Sequence, residues 1–236
     1  MIFYGVGIGP GESELITLKG YRVLKEAEVI FAPKASIKTE SLAKDIVEKV
    51  IGNSKSFIEI EFPMTKNKED LRDRYNNAAQ MIYEKVRDGA RGAYLTIGDP
   101  LLYSTYIYLL KALKKIAPEL KIETIPGISA YTALASKLNF SLAEKDERIC
   151  ICPAPQSMIA LKQVIENNDT IIIMKVSKKL PEVIQLLKEM DLFENTVFGS
   201  RVGMENEKLF SFKESLPLLS DKAGYLSTII VRKNKE

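Results

Sequence analysis

The sequence predicts an α/β protein built as two α/β domains, the N-terminal one around a mostly parallel sheet and the C-terminal one around a mixed sheet. Short apolar runs alternate with segments whose apolar residues recur at helical spacing, and several of the runs stop at Gly/Pro turns. That alternation argues for parallel strands covered by helices. From Asn195 onward, strand-like segments follow one another with less helix between them, which argues for antiparallel pairing there.

The elements follow in order. Ile2 to Ile8 reads as a first strand running into Gly9-Pro10-Gly11, and a helix begins near Thr17, with Leu18, Tyr21 and Leu24 at helical spacing. Val29-Ile30-Phe31-Ala32 is a short second strand, followed by an amphipathic helix marked by Leu42, Ile46, Val47 and Val50. Residues 57–62 alternate as a strand closed by Pro63, and Asn67 is the expected cap of a long helix carrying Leu71, Tyr75, Ala78, Ala79, Ile82 and Val86 on one face. The run 93–97 is a buried strand that stops at Gly98-Asp99-Pro100, and a helix starts near Tyr106. The pattern pauses at Ala117-Pro118-Glu119, which divides the chain into domains 1–117 and 118–236. Strands are then expected at 121–124, 148–152, 170–174, 196–200 and 225–231, and helices at 129–138, 157–166 and 181–190.

Composition narrows the chemistry. A chain of 236 residues with 46% hydrophobic and 28% charged residues has ample material for a core. Its net charge of only +3 gives no support for a nucleic-acid partner. There is no histidine, so imidazole acid/base chemistry, a Ser-His-Asp triad and His-ligated metal are excluded, and no metal site is expected. Cys150 and Cys152 alternate along an apolar run and point to one face of a strand; they read as core residues, not as a metal site, which would need further soft ligands. The opening Met-Ile-Phe-Tyr-Gly resembles neither a signal peptide nor an anchor, and no apolar run approaches membrane-spanning length. A cytoplasmic location without a membrane partner is expected.

Three turns at strand ends attract attention. Gly5-x-Gly7-x-Gly9-Pro10-Gly11 lacks the spacing of a dinucleotide-binding loop: the third glycine required falls on Pro10 or on Glu12. A tight exposed loop against a flat ligand or a second domain suits it better than a phosphate cradle. Gly98-Asp99-Pro100 presents one carboxylate at the carboxyl end of a strand, where open α/β sheets bind ligands. Ile125-Pro126-Gly127-Ile128-Ser129-Ala130 is a further turn before a helix, with Ser129 placed to cap it. If the strands are parallel, such turns converge on one rim. Met174-Lys175 closes another buried run; core is the default reading of the methionine, and a neighbour of an adenine or thioether is the sharper one.

Taken in order, Gly-x-Gly-Pro-Gly, Gly-Asp-Pro, Pro-Gly-Ile-Ser-Ala, Met-Lys and a C-terminal Tyr225-x-Ser227-Thr228 resemble the tetrapyrrole methylase superfamily across essentially the whole chain. Glu61-Phe62-Pro63-Met64-Thr65, the run from Gly98 to Tyr106, and Leu142-Ala143-Glu144 are similar to the C20-methyltransferases of cobalamin biosynthesis. Those enzymes methylate precorrin-2 or its cobalt-containing counterpart, cobalt-factor II, with S-adenosylmethionine. The resemblance implies a class III methyltransferase, with cofactor between two domains, a tetrapyrrole trough beside it, and a homodimer. Cofactor contacts carry over to Ile97, Gly98, Asp99, Leu102, Ser129, Ala130, Met174, Gly203, Leu226, Ser227 and Thr228. Substrate contacts carry over to Gly9, Pro10 and Gly11, with Tyr103 and Tyr106 as further contacts or as core.

No catalytic acid or base is assigned. The siroheme-forming branch carries an aspartate just after the second strand, where this chain has Pro33-Lys34. Methyl transfer to an enamine-like carbon asks chiefly that the reactants be held about 3–3.5 Å apart in line, so Asp99 is expected to position the cofactor. Lys34, Lys66, Arg72 and Arg201 stand as partners for substrate carboxylates or as plain solvated surface. The alternatives are another member of the same fold, such as a different corrin-ring methyltransferase, or a non-catalytic cofactor-binding protein.

Overall fold

The computed structural model describes residues 1–36, 39–62, 68–212 and 226–233. Pro63, Met64, Thr65, Lys66, Asn67 and Tyr225, singled out above, lie outside the described residues. The chain forms two compact units, Met1–Ser129 and Ala130–Glu236.

In the first unit the elements are β1 (Ile2–Gly7), α1 (Leu18–Glu26), β2 (Val29–Lys34), α2 (Leu42–Ile51), β3 (Ser56–Glu61), α3 (Lys68–Val86), β4 (Arg91–Thr96), α4 (Tyr106–Ile116) and β5 (Lys121–Ile125). The five strands form one sheet in the order β3-β2-β4-β1-β5, and every pairing is parallel. Side chains alternate between its faces. Phe3, Phe31 and Tyr94 meet Tyr75, Ile82 and Leu109 from α3 and α4 on one face, while Val6, Ile30 and Leu95 meet Leu24, Ile46 and Val47 from α1 and α2 on the other. The helices start where local chemistry satisfies their first amides: the Thr17 hydroxyl accepts from Gly20 N and the Ser41 hydroxyl from Lys44 N.

The expected division at 117/118 assigned the strand near 121–124 to the second domain. Its hydrogen bonds place it beside β1 in the first sheet, and the compact units divide after Ser129. The pause at Ala117-Pro118-Glu119 is a helix end: Ala117 N donates to Leu113 O.

The second unit contains α5 (Ala130–Lys137), β6 (Ile149–Pro153), α6 (Met158–Glu166), β7 (Thr170–Met174), α7 (Leu180–Glu189), β8 (Thr196–Ser200), β9 (Lys208–Ser211) and β10 (Ser227–Arg232). Its sheet order is β6-β7-β10-β8-β9. The β6 and β7 strands are parallel, whereas β10 runs antiparallel to both β7 and β8, and β9 antiparallel to β8. The sheet is mixed, as the loss of alternation after Asn195 predicts. Ile171, Ile173, Phe198 and Ile229 pack with Leu161, Val183 and Leu187 from α6 and α7. On α5, Leu134 occupies the space above Gly199, where a Cβ would lie 2.7 Å from Leu134 Cδ1.

Cys150 and Cys152 occupy the edge strand β6 and are half-buried free thiols, not the fully buried pair expected. Among the described residues β6 has a neighbouring strand on one side, and of the two cysteines Cys152 packs against the core.

Candidate functional site

Parallel strands emerge at one edge of a sheet, so the turns after β1, β4 and β5 leave from adjacent positions in the first unit. They interlock. Gly98 N donates to Gly9 O at 2.7 Å, and the two glycines form an antiparallel bridge. Both are left-handed, with φ of 76° at Gly9 and 75° at Gly98, which glycine adopts without penalty. Gly7 lies against the third turn: a Cβ there would fall 2.5 Å from Gly127 N and 2.8 Å from Gly98 O. Asp99 closes the arrangement. Its Oδ1 accepts from Leu101 N at 2.9 Å and its Oδ2 from Gly127 N at 3.1 Å. Both carboxylate oxygens therefore serve the protein's own main chain, one within the turn and one across to the next. Ile97, Asp99 and Leu102 are half-buried beside the buried Gly98.

Gly9, Pro10 and Gly11 are buried, where the sequence predicted an exposed loop. The cause is local: the carbonyl of Gly9 is used by Gly98, and Leu15 from the 3-10 turn Ser13–Leu15 lies against Gly9. Tyr103 is half-buried within the turn that leads into α4, with a left-handed φ of 51°. Of the two readings left open for Tyr106, substrate contact or core, its place in the structure fits the core. It is fully buried beneath the rim, and its hydroxyl pairs with Thr124 Oγ1 at 2.9 Å. Thr96, two residues before Gly98, is buried with a hydroxyl that has no hydrogen-bond partner among the described residues.

In the second unit, residues distant in sequence gather at one end of the mixed sheet. Thr228 is register partner to both Met174 and Gly199, and Ser227 to Ser200. Arg201 N donates to Leu226 O at 3.0 Å, and Gly203 follows two residues later. The backbone here is unusual: Lys175, Ser177, Arg201 and Leu226 have φ of 54°, 43°, 52° and 53°, and Gly203 has 79°. Left-handed non-glycine residues carry a local cost and tend to cluster where function requires it. Ser129 and Ala130, both half-buried, stand at the junction of the two units, Ala130 as the first residue of α5.

A family model described as "Tetrapyrrole (Corrin/Porphyrin) Methylases" matches residues 3–216. The chain belongs to the tetrapyrrole methylases. Among its relatives, a probable cobalt-precorrin-2 C(20)-methyltransferase of Methanocaldococcus jannaschii is 36% identical, over 98% of this chain and 96% of that protein. A precorrin-2 C(20)-methyltransferase of Sinorhizobium sp. is 27% identical, over 96% of this chain and 93% of its own length. Among solved structures, a uroporphyrin-III C-methyltransferase from Thermus thermophilus complexed with S-adenosylhomocysteine superimposes with a TM-score of 0.66. It is 18% identical and is matched over 99% of this chain and 98% of its own, so it speaks for the fold alone.

In this tetrapyrrole methylase the cations considered for substrate carboxylates are differently placed. Lys34 Nζ lies 2.9 Å from Glu59, Arg72 is 3.9 Å from Asp73 on an exposed helix face, and Arg201 sits at the gathered end of the second sheet. Glu144, part of one stretch that carried the resemblance, bonds Arg232 at 3.0 Å together with Glu147. Arg232 is buried at the end of β10. Its guanidinium holds the Glu147 carboxyl below the usual carboxylate range. Sequence reasoning missed the second bond of Asp99 and left Tyr106 open between ligand contact and core. A glycine at position 5 facing a tyrosine at the start of α4 was the available signal for the latter, but it required knowing that β1 and β4 are neighbours.

Proposed function

We propose that this tetrapyrrole methylase transfers a methyl group from S-adenosylmethionine to C20 of precorrin-2 or of its cobalt-containing counterpart, in cobalamin biosynthesis. What carries the reading is full-length similarity to relatives of that named activity, joined to the ordered set of strand-end turns. The same reading includes a cytoplasmic homodimer.

The residues at the strand ends suit such a cofactor. Gly98 is open on the side where a Cβ would stand, with nothing within 4 Å. Ile97, Leu102, Ala130 and Met174 are half-buried apolar groups of a kind that suits an adenine and a thioether. The proposed cofactor contacts are Ile97, Gly98, Asp99, Leu102, Ser129, Ala130, Met174, Gly203, Leu226, Ser227 and Thr228, and Asp99 acts through the turn it clasps. Gly9, Pro10, Gly11 and Tyr103 are the proposed substrate side; Tyr106 is left out because its ring lies on Gly5 and its hydroxyl is paired with Thr124. When bound, the cofactor supplies an electrophilic methyl group on a sulfonium. The protein's task is to hold and orient, which is where most of the rate arises when two ligands must meet in line.

The test is an anaerobic incubation with methyl-labelled S-adenosylmethionine and each of the two tetrapyrroles in parallel. A labelled C20-methylated product with at least one of them is expected, and the ratio identifies the preferred form. Absence of labelled product with both would overturn the reading, and cofactor binding without turnover would favour a non-catalytic role.

A further inference from the structure

We propose that Tyr106 is a positioning residue for methyl transfer: seated on Gly5 and bonded to Thr124, it fixes the start of α4 and thereby the 98–105 turn that receives the cofactor. The proposal deepens the reading above and rests on it.

One row of residues crosses the first sheet at Gly5. Gly5 of β1 is register partner to Tyr94 of β4 on one side and to Thr124 of β5 on the other. The first turn of α4 lies over this row. A Cβ on Gly5 would coincide with the ring and hydroxyl of Tyr106, so the ring can lie on the sheet only because β1 has no side chain at that point. The two outer members of the row each bond the helix start. Tyr106 Oη pairs with Thr124 Oγ1 at 2.9 Å, and Thr105 Oγ1 pairs with Tyr94 Oη at 3.3 Å. The Tyr94 and Tyr106 rings stack, 5.9 Å apart and 25° from parallel. The start of α4 is thus pinned to β4 and β5 and seated on β1 between them.

This seat is tied to the turn through Thr105 and through the turn's own backbone. Thr105 precedes α4 as its N-cap, yet its side chain caps no helix amide; the hydroxyl is used on Tyr94 instead, so a common local stabilisation is forgone for a tertiary one. The turn itself contains a left-handed Tyr103 and a bond from Ser104 Oγ to Pro100 O, a conformation that persists when both ends are fixed. Asp99 fixes the first end through Gly127, and Tyr106 fixes the second. Both phenols are driven toward the neutral form by burial, which keeps them available as donors.

Tyr106→Phe keeps the ring on Gly5 and removes only the hydroxyl, Thr124→Val removes its partner, and Thr124→Ser retains a hydroxyl. Affinity for S-adenosylhomocysteine is measured by calorimetry on the full chain, with apo melting temperatures and steady-state constants beside it. Tyr106→Phe and Thr124→Val should each raise Kd about three- to tenfold, and the double variant should be no worse than the weaker single. Thr124→Ser should stay within about twofold of the unaltered protein. KM for the cofactor should rise with kcat held within about twofold, the mark of a weakened cofactor seat and not of lost chemistry. A lower apo melting temperature with an unchanged Kd in Tyr106→Phe would overturn the proposal and leave the tyrosine a core residue. Failure of the unaltered protein to bind S-adenosylhomocysteine would overturn the cofactor reading itself, and this proposal with it.

Discussion

Replacing Asp99 by alanine removes both acceptors that hold the Gly-Asp-Pro turn. The carboxylate takes N–H groups from Leu101 at 2.9 Å and from Gly127 at 3.1 Å. A hydrogen bond to a charged acceptor contributes about 1.5–3 kcal/mol net. The Leu101 bond is exposed, so water replaces much of it, and the part-buried Gly127 bond carries the greater share. Roughly 2–3 kcal/mol for the pair follows. If all of it serves the binding-competent turn, the loss in cofactor affinity has an upper bound of about 30- to 150-fold. We expect at least about tenfold for Asp99→Ala in calorimetry with S-adenosylhomocysteine. Asp99→Asn should fall between, because the amide has one oxygen to offer and its NH2 faces the other donor. A denaturant melt of each apo variant separates affinity from folding. An Asp99→Ala Kd within about threefold of the unaltered protein would show that the clasped turn does not serve cofactor binding.

Two further outcomes follow from contacts within single units. Gly7→Ala should destabilise the protein by about 1–3 kcal/mol or more, because the new Cβ would meet Gly127 N at 2.5 Å and Cα at 2.6 Å; an unchanged urea midpoint at constant m would count against the interlocked turns. Glu147 has its carboxyl lowered, first by its hydrogen bond from Arg232. Its contribution to stability is therefore present above the unfolded value of about 4.3 and is lost as the pH falls through the lower folded value. In melting experiments from pH 7 down to about 3, Glu147→Gln should be less stable at neutral pH, with a shallower acid decline. Parallel profiles for the two proteins would show that the bond does not contribute.

Much of the fold was legible because hydrophobic periodicity encodes which face of an element is buried. The helix face of Tyr75, Ala78, Ala79, Ile82 and Val86 is the one that meets the first sheet, and the strand at 170–174 appears with the same bounds. Element neighbours are another matter, since the pattern along β5 is equally compatible with either sheet. Tyr106 illustrates the limit at one residue. A tyrosine beside a ligand turn reads as a ligand contact or as core, and only the placement of Gly5 beneath it makes it a buried strut.

Most of the elements, though not β9, are written in the sequence, as are the change from parallel to mixed sheet and the ordered turns by which the chain is a tetrapyrrole methylase. Tertiary structure decided the strand order β3-β2-β4-β1-β5. That order sets β1 between β4 and β5, so that turns separated by about ninety and about thirty residues meet, at Gly9 with Gly98 and at Asp99 with Gly127. The physical reason is that burial patterns are local in sequence, whereas strand pairing is settled by competition among long-range contacts. Asp99 belongs to both levels: its place at a strand end is written in the sequence, and the main-chain donor it holds across the rim is not.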